Sequence, residues 1–377
     1  MRRFLWMASF ASVSAVAALL LSSSPARSED IPEEFRDTVR RALNWMAKEQ
    51  SNDGHWEALG GQYPITMTAL GGMSLLMEGS TAREGKYKDR IRKARDYLMS
   101  KVQPNGMIGN PNTPGEAGRY MYGHGFALLF LACVYGDEEE GEQRRKLEDM
   151  LVRACQFSHD AQTRRKSTKD NKDLGGWGYM SAKEGNNFDE GSVTITQVQA
   201  LRAARNAGIK VPPEAIPMSV IYLRDSTNQQ GGIIYSLAGG GGGDGRPALT
   251  AAAISCGFSA GDYNSPLVKQ WFKFCKERVP LLGAGRFGHD EYTHYYYSQA
   301  MYMLGDDGWN KLFPGDKDGL TWTKYRNATF KYLKETQVKE GADYGYWTGG
   351  HVGPVFITAV HLTILQLDKA ALPIYQR

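Results

Sequence analysis

The chain has 377 residues, with 45 Lys and Arg against 41 Asp and Glu, a formal charge of +4. Taking away residues 1–28 deletes Arg2, Arg3 and Arg27 and no acid, which leaves 42 basic and 41 acidic side chains. That balance excludes the dense basic footprint a nucleic-acid backbone requires, and no stretch after residue 28 is long and apolar enough to span a bilayer.

The N-terminus reads as a secretory signal peptide: Arg2 and Arg3, an apolar run from Phe4 to Leu21, then Ala26-Arg27-Ser28 as a small-x-small cleavage site. A retained anchor is the alternative reading. No Cys follows the run, which argues against a lipoprotein, and the paired arginines point towards twin-arginine export. Residues 29–377 are therefore expected to form one exported domain.

Along that domain two kinds of helix alternate. Amphipathic patterns cover 33–50, 85–102, 143–158, 212–227, 264–278 and 324–337; apolar, Ala/Gly-containing stretches cover 63–79, 119–136, 192–208, 246–261, 292–305 and 352–367. The apolar stretches end at Gly79, Gly136, Gly208, Gly261 and Gly305, which suits left-handed caps. Six apolar helices sheathed by six amphipathic ones predict two concentric layers, an all-α (α/α)6 barrel or toroid. The pairs close on themselves, since an open stack would leave its end helices uncovered.

The links into the apolar helices carry a second recurrence: a helix end with an aromatic residue, then Gln, Gly and often Trp. It appears as "NWMAKEQSNDGHW", "DYLMSKVQPNGMIG", "YLRDSTNQQGGIIY" and "KYLKETQVKEGADYGYW", with "DLGGWGY" closing the third unit. Gln is suited to the orphan carbonyls of a helix end, Gly to a reversed backbone, and the aromatic ring to covering the junction. Between the helices, "TRRKSTKDNKD" (163–173) reads as a solvated loop, because acids interrupt its basic run. The glycine run 238–247 lacks the Lys-Ser/Thr of a phosphate loop and reads as a lid at the barrel mouth. Cys133, Cys155, Cys256 and Cys275 have no C-x-x-C spacing and are expected to be unpaired and buried.

The Gln-x-x-x-Gly-x-Trp repeat resembles that of squalene/hopene cyclases and protein prenyltransferase β-subunits. The stretches "YGHGFALLFLACVYG", "GGWGY", "SVTITQVQALRAARNAGIKVP", "YYYSQAMYMLG" and "LPIYQR" resemble an exported bacterial group of prenyltransferase/squalene-oxidase-repeat proteins. The resemblance spans the whole mature chain and implies the α/α toroid. Its chemistry does not transfer intact. The cyclase Asp-x-Asp-Asp acid is missing, and the acidic feature nearest its place is Asp189-Glu190 in "NFDEGSVT", with Asp189 read first as a helix N-terminal carboxylate and, as the alternative, a substitute acid. Of the prenyltransferase zinc ligands only His294 has a counterpart; Ala252 and Ile254 stand where the others would be. The spacing of His289, Asp290 and His294 puts the histidines on different helix faces, so neither a metal nor a cofactor is expected.

In such a barrel all six apolar helices start at one end and bring their first residues to a common mouth. His124, Asp189 and His294 are the candidate proton-transfer groups there. Arg119, Tyr122, Trp177, Gln197, Arg246, Tyr296, Tyr297 and Gln299 are the candidate ligand-binding groups. The expected function is a central cavity for a small-molecule or isoprenoid-like ligand. The alternatives are a glycan- or peptide-active barrel using His/Tyr proton transfer, and a non-catalytic scaffold for an unidentified protein partner.

Overall fold

A computed structural model describes residues 30–375 except 114, 239–241, 285–288 and 342–343; the expected signal peptide lies outside the described residues. Twelve α-helices alternate between an outer and an inner layer. The outer ones are α1 (Glu33–Glu49), α3 (Lys88–Ser100), α5 (Glu142–Ala161), α7 (Ala215–Asp225), α9 (Pro266–Arg278) and α11 (Trp322–Thr336). The inner ones are α2 (Pro64–Leu76), α4 (Tyr120–Asp137), α6 (Gly191–Asn206), α8 (Pro247–Ser259), α10 (Asp290–Leu312) and α12 (Pro354–Leu365).

Burial follows the hydrophobic pattern. All residues of α2 are buried, whereas α3 buries only Ile91, Ala94, Arg95, Leu98 and Met99, a single stripe at i, i+3, i+4, i+7 and i+8. Each inner helix packs on the next in the order α2, α4, α6, α8, α10, α12, and α12 returns to α2. The barrel is therefore closed. Amides tie the seam: Gln337 Nε2 donates to Thr38 C=O at 2.9 Å and Gln366 Nε2 to Ser74 C=O at 3.0 Å, with Lys334 Nζ 3.9 Å from Glu34 across it.

The Gln of the link repeat joins two units. Gln50 Nε2 donates to Gly54 C=O (2.8 Å) in its own link and to Arg90 C=O (2.9 Å) in the next outer helix, and Gln162 does the same with Gly175 and Ala215 C=O, both at 2.9 Å. Gln50 and Gln162 thus serve one carbonyl of their own link and one of the next outer helix, whereas Gln103 reaches the expected helix end, donating to Lys101 C=O at 3.3 Å. The link glycine is required because the neighbour is so close: a Cβ on Gly54 (φ +100°) would lie 2.4 Å from Lys93 C=O.

Three expectations change in detail. Gly136 is not a left-handed cap, since α4 runs through it to Asp137, while Gly79, Gly208 and Gly261 do take positive φ. Gly305 (φ 71°) marks a kink, after which helix resumes to Leu312. The loop 163–173 holds a short antiparallel hairpin, β1 (Arg165–Lys166) with β2 (Asp173–Leu174), and it is not simply solvated, because Arg165 reaches inward to Asp189. The four cysteines are unpaired; three are buried and Cys133 is half-buried. No helix among the described residues is long and apolar enough to cross a membrane.

Candidate functional site

Among the described residues, five of the six links each deliver one backbone N–H to the first turns of the inner helix that follows. Trp56 donates to Thr68 Oγ1 (3.0 Å), Trp177 to Thr194 (3.0 Å), Ile233 to Thr250 (2.9 Å) and Trp347 to Thr358 (3.2 Å). In the second unit the acceptor is His124: Ile108 N–H donates to its Nδ1 at 3.0 Å. An accepting Nδ1 puts the proton on Nε2, which lies 2.9 Å from Ser158 Oγ. Ser158 donates on to Gln197 Oε1 (2.9 Å), and Gln197 Nε2 to Met121 C=O (2.7 Å). His124 is fully buried, and desolvation pushes its pKa down to about 3. Trp177 belongs to the same junction, its indole N–H donating to Ser158 C=O at 2.6 Å. His124, Gln197 and Trp177 therefore bind α4, α5 and α6 together.

His294 is likewise enclosed, its Nδ1 2.6 Å from the Tyr325 hydroxyl of α11, and burial pushes its pKa down to about 3. Tyr297 packs edge-on against that same Tyr325 ring. Tyr292, Tyr295 and Gln299, spaced to share one face of α10, turn to the lumen. Across it, Tyr292 donates to Ser192 C=O (3.2 Å), Gln199 Nε2 to Gln299 Oε1 (2.8 Å), and Tyr295 meets Phe126 of α4 edge-on. Tyr296 and Tyr297 are fully buried, with no water-sized space against either ring. Around Tyr292, Tyr295 and Tyr296 the lumen is occupied by the protein's own side chains, and on the far side Gln199 and Gln299 border a small space of about 50 Å³.

Above that layer the inner-helix starts form a rim. Glu190 is the N-cap of α6; its Oε2 accepts from Val193 N–H (3.0 Å), from Ser192 Oγ and from the Tyr122 hydroxyl (3.3 Å). Burial raises its pKa against the lowering effect of those donors. The hydroxyls of Tyr179 and Tyr235 bond to each other. Both rings lie close enough to Tyr122 to push its pKa up, behind burial and the Glu190 charge. Tyr235 is 41% exposed, Tyr179 is half-buried, and the exposed Arg119 guanidinium stands 5.2 Å over the Tyr179 ring. Arg246 is exposed at the start of α8, its N–H on Ile233 C=O at 2.8 Å.

Asp189, although adjacent to Glu190 in sequence, has other work. It is fully buried, pairs with Arg165, and accepts from Ser236 Oγ (3.0 Å) and Leu237 N–H (2.8 Å). It thereby fixes the loop that carries Tyr235. A further carboxyl sits two inner helices away: Glu116 Oε1 accepts from Ile65 N–H (2.9 Å) at the start of α2, its Oε2 is buried without a partner, and desolvation pushes its pKa up to about 7.

Of the expected residues, the rim brings together Arg119, Tyr122 and Asp189. His124, Trp177 and Gln197 lie in a junction, His294 and Tyr297 against α11, and Tyr296 and Gln299 in the filled lumen. Glu190 was named from sequence only as the neighbour of Asp189, and Tyr179, Tyr235 and Glu116 were not singled out. The two tyrosines were signalled there all the same: each stands two residues past the Trp177 or Ile233 position of successive links. Among the described residues no three His, Cys, Asp or Glu side chains group so as to hold a metal.

No protein-family model and no curated protein matches the chain. Solved structures do. A type II terpene cyclase, MstE from Scytonema, aligns with TM-score 0.54 and 15% identity over 90% of this chain and 98% of its own. The GH76A alpha-1,6-mannanase from Salegentibacter sp. HEL1_6 aligns with TM-score 0.57 and 8% identity over 89% and 99%. An inactive variant of that mannanase in complex with alpha-1,6-mannotriose aligns with TM-score 0.59 and 7% identity over 89% and 99%. At such identities the likeness is one of fold, and it agrees with the terpenoid-cyclase-like α/α toroid.

Proposed function

We propose that the rim around Tyr122, Tyr179, Glu190 and Tyr235 binds a carbohydrate-class ligand met outside the cytoplasm, with Glu190 as the acid that faces it. The observation that carries this reading is the pairing of a partly exposed tyrosine couple with a buried carboxyl whose pKa is raised. Tyrosine faces stack on sugar rings, and a carboxyl kept towards its neutral form can donate a hydrogen bond, or a proton, to an acetal oxygen. Arg119 adds a donor array at the edge, and Asp189 holds the Tyr235 loop in place.

The lumen supports the choice over an isoprenoid ligand. A polyprenyl chain needs a deep apolar chamber, and below Tyr122 the space is crossed by Tyr292, Gln199, Gln299 and Tyr295. A mannanase of the same fold has been solved with an oligosaccharide bound. The terpene cyclase has likewise been solved with geranylgeranyl dihydroxybenzoate, and the edge-to-face rings of Tyr292, Tyr295 and Tyr296 are the kind of surface that steadies a carbocation. That makes the isoprenoid reading the second one.

Calorimetric titration of the mature chain with neutral oligosaccharides, alpha-1,6-mannotriose among them, and with a polyprenyl phenol separates the readings. Sugar binding that weakens at least tenfold in Tyr235→Ala and in Glu190→Gln is expected. Binding of the polyprenyl compound alone would transfer the site to isoprenoids, and binding of neither would favour the scaffold.

A further inference from the structure

The far end of the barrel carries a second concave feature, separated from the rim by the length of the inner helices, about 20 Å at 1.5 Å per residue. Here α4 and α6 end, and small side chains on both leave a space of about 350 Å³. Ala132, Cys133, Ala203 and Ala207 form its walls, with Leu372 and Ile374 of the C-terminal tail across it. That volume is within the usual range of small-ligand sites, about 300–1,000 Å³.

The tail is a roof of an unusual kind. It leaves the barrel at Ala370, whose φ of 47° is a left-handed conformation uncommon for alanine. Beyond it, Leu372 and Tyr375 are buried. The segment's backbone hydrogen bond among the described residues, Tyr375 N–H to Leu372 C=O at 2.9 Å, lies within the tail itself. Leu372 and Tyr375 anchor the roof by insertion, and Lys369 Nζ, just before it, donates to Glu78 C=O at 2.6 Å.

Charge defines what would fit. The space is edged by Asp137, which makes no ion pair among the described residues, and by the carbonyl ends of α4 and α6, the negative ends of their dipoles. The cations near the edge are already paired with other carboxylates: Arg144 with Glu140 (3.4 Å), while also donating to Tyr135 C=O (2.9 Å) and Glu138 C=O (2.8 Å), and Arg83, whose charge acts on Asp137, with Glu139 (2.5 Å). One side of the lining, Ala132, Ala203, Ala207 and Leu372, is apolar; Asn206 adds an amide, and the carboxylate left without a paired cation is Asp137.

We propose that this space under the C-terminal tail is a second binding site, taking a compact apolar molecule with one cationic group, an alkylammonium, its chain against the alanines and its nitrogen at Asp137. The site is independent of the rim and of the carbohydrate reading.

The probe is octylammonium, titrated into the mature chain, with octanoate and octanol as comparators. Octylammonium binding that falls at least tenfold in Asp137→Asn and in the space-filling Ala207→Leu, with octanoate not bound, is the expected result. Equal binding of octanoate, an unchanged affinity in Asp137→Asn, or no binding at all overturns the proposal. Should Ala207→Leu fail to fold, wild-type protein supplies the second reading, because Cys133 lines the space while the other three thiols are buried. Octylammonium must then slow maleimide labelling of Cys133 at least severalfold, and no protection would count against the site.

Discussion

The first link (50–63) and the third (162–190) perform the same junction chemistry with the same residues, yet only the third builds a rim. Both place a Gln amide between two backbones, a Trp indole on the preceding outer helix, and a Trp N–H on a threonine of the next inner helix. The first stops there. The third adds the β1–β2 hairpin, Tyr179, Asp189 and Glu190, all beyond what the junction requires. Groups repeated in every unit are spent on closing the barrel, so the chemistry is to be sought in what one link has and its counterparts lack.

That contrast can be broken by mutation. Trp177→Ala and Trp56→Ala should each cost about 3–5 kcal/mol in urea denaturation, because both rings are fully buried. A cost confined to one of them would mean that the two junctions are not equivalent.

Glu116 sharpens it through pH. Its pKa rises from 4.5 when unfolded to about 7 in the fold, so between those values the native state keeps a proton that the unfolded chain has lost. Native stability therefore declines as pH rises through this window. Glu116→Gln removes the decline and should be the more stable protein at pH 8, by up to about 3 kcal/mol; pH-resolved melting curves read this directly.

His124→Thr converts the second junction to the residue its counterparts use. At pH 7 it should cost about 1–3 kcal/mol, since Ser158 and Gln197 lose a partner. On acidification the sign favours the variant. The folded state holds His124 neutral down to about pH 3 while the unfolded chain binds its proton near 6.5, so stability falls as pH drops through that range. The variant should lose less than the wild type between pH 6.5 and 4 in the same denaturation experiment. Tyr235→Ala should have the smallest effect on stability, within about 1 kcal/mol, because the ring is 41% exposed.

The architecture was legible because its helices alternate six times, apolar and amphipathic, with Gln and Gly recurring in five of the links, and this leaves closure as the arrangement that covers every inner helix. The site was less so. Sequence adjacency cannot tell which of Asp189 and Glu190 meets Arg165 and which meets Tyr122, since their side chains leave the chain in different directions. His124 drew notice as a lone imidazole on an apolar helix, but its place is that of Thr68 and Thr358, the fifth residue of each inner helix. Arg165 sat in a charge run that reads as solvent-facing until the hairpin turns it inward. Tyr179 and Tyr235 become visible only when successive links are aligned on their Trp177 and Ile233 positions.

The most direct measurement is hydrogen–deuterium exchange on residues 29–377 with and without a saturating oligosaccharide found in the titrations. Added protection confined to 177–192 and 231–237, with 50–63 unchanged, is the result this account predicts. Protection centred on the first link or on the C-terminal tail, with none at the third link, would contradict it.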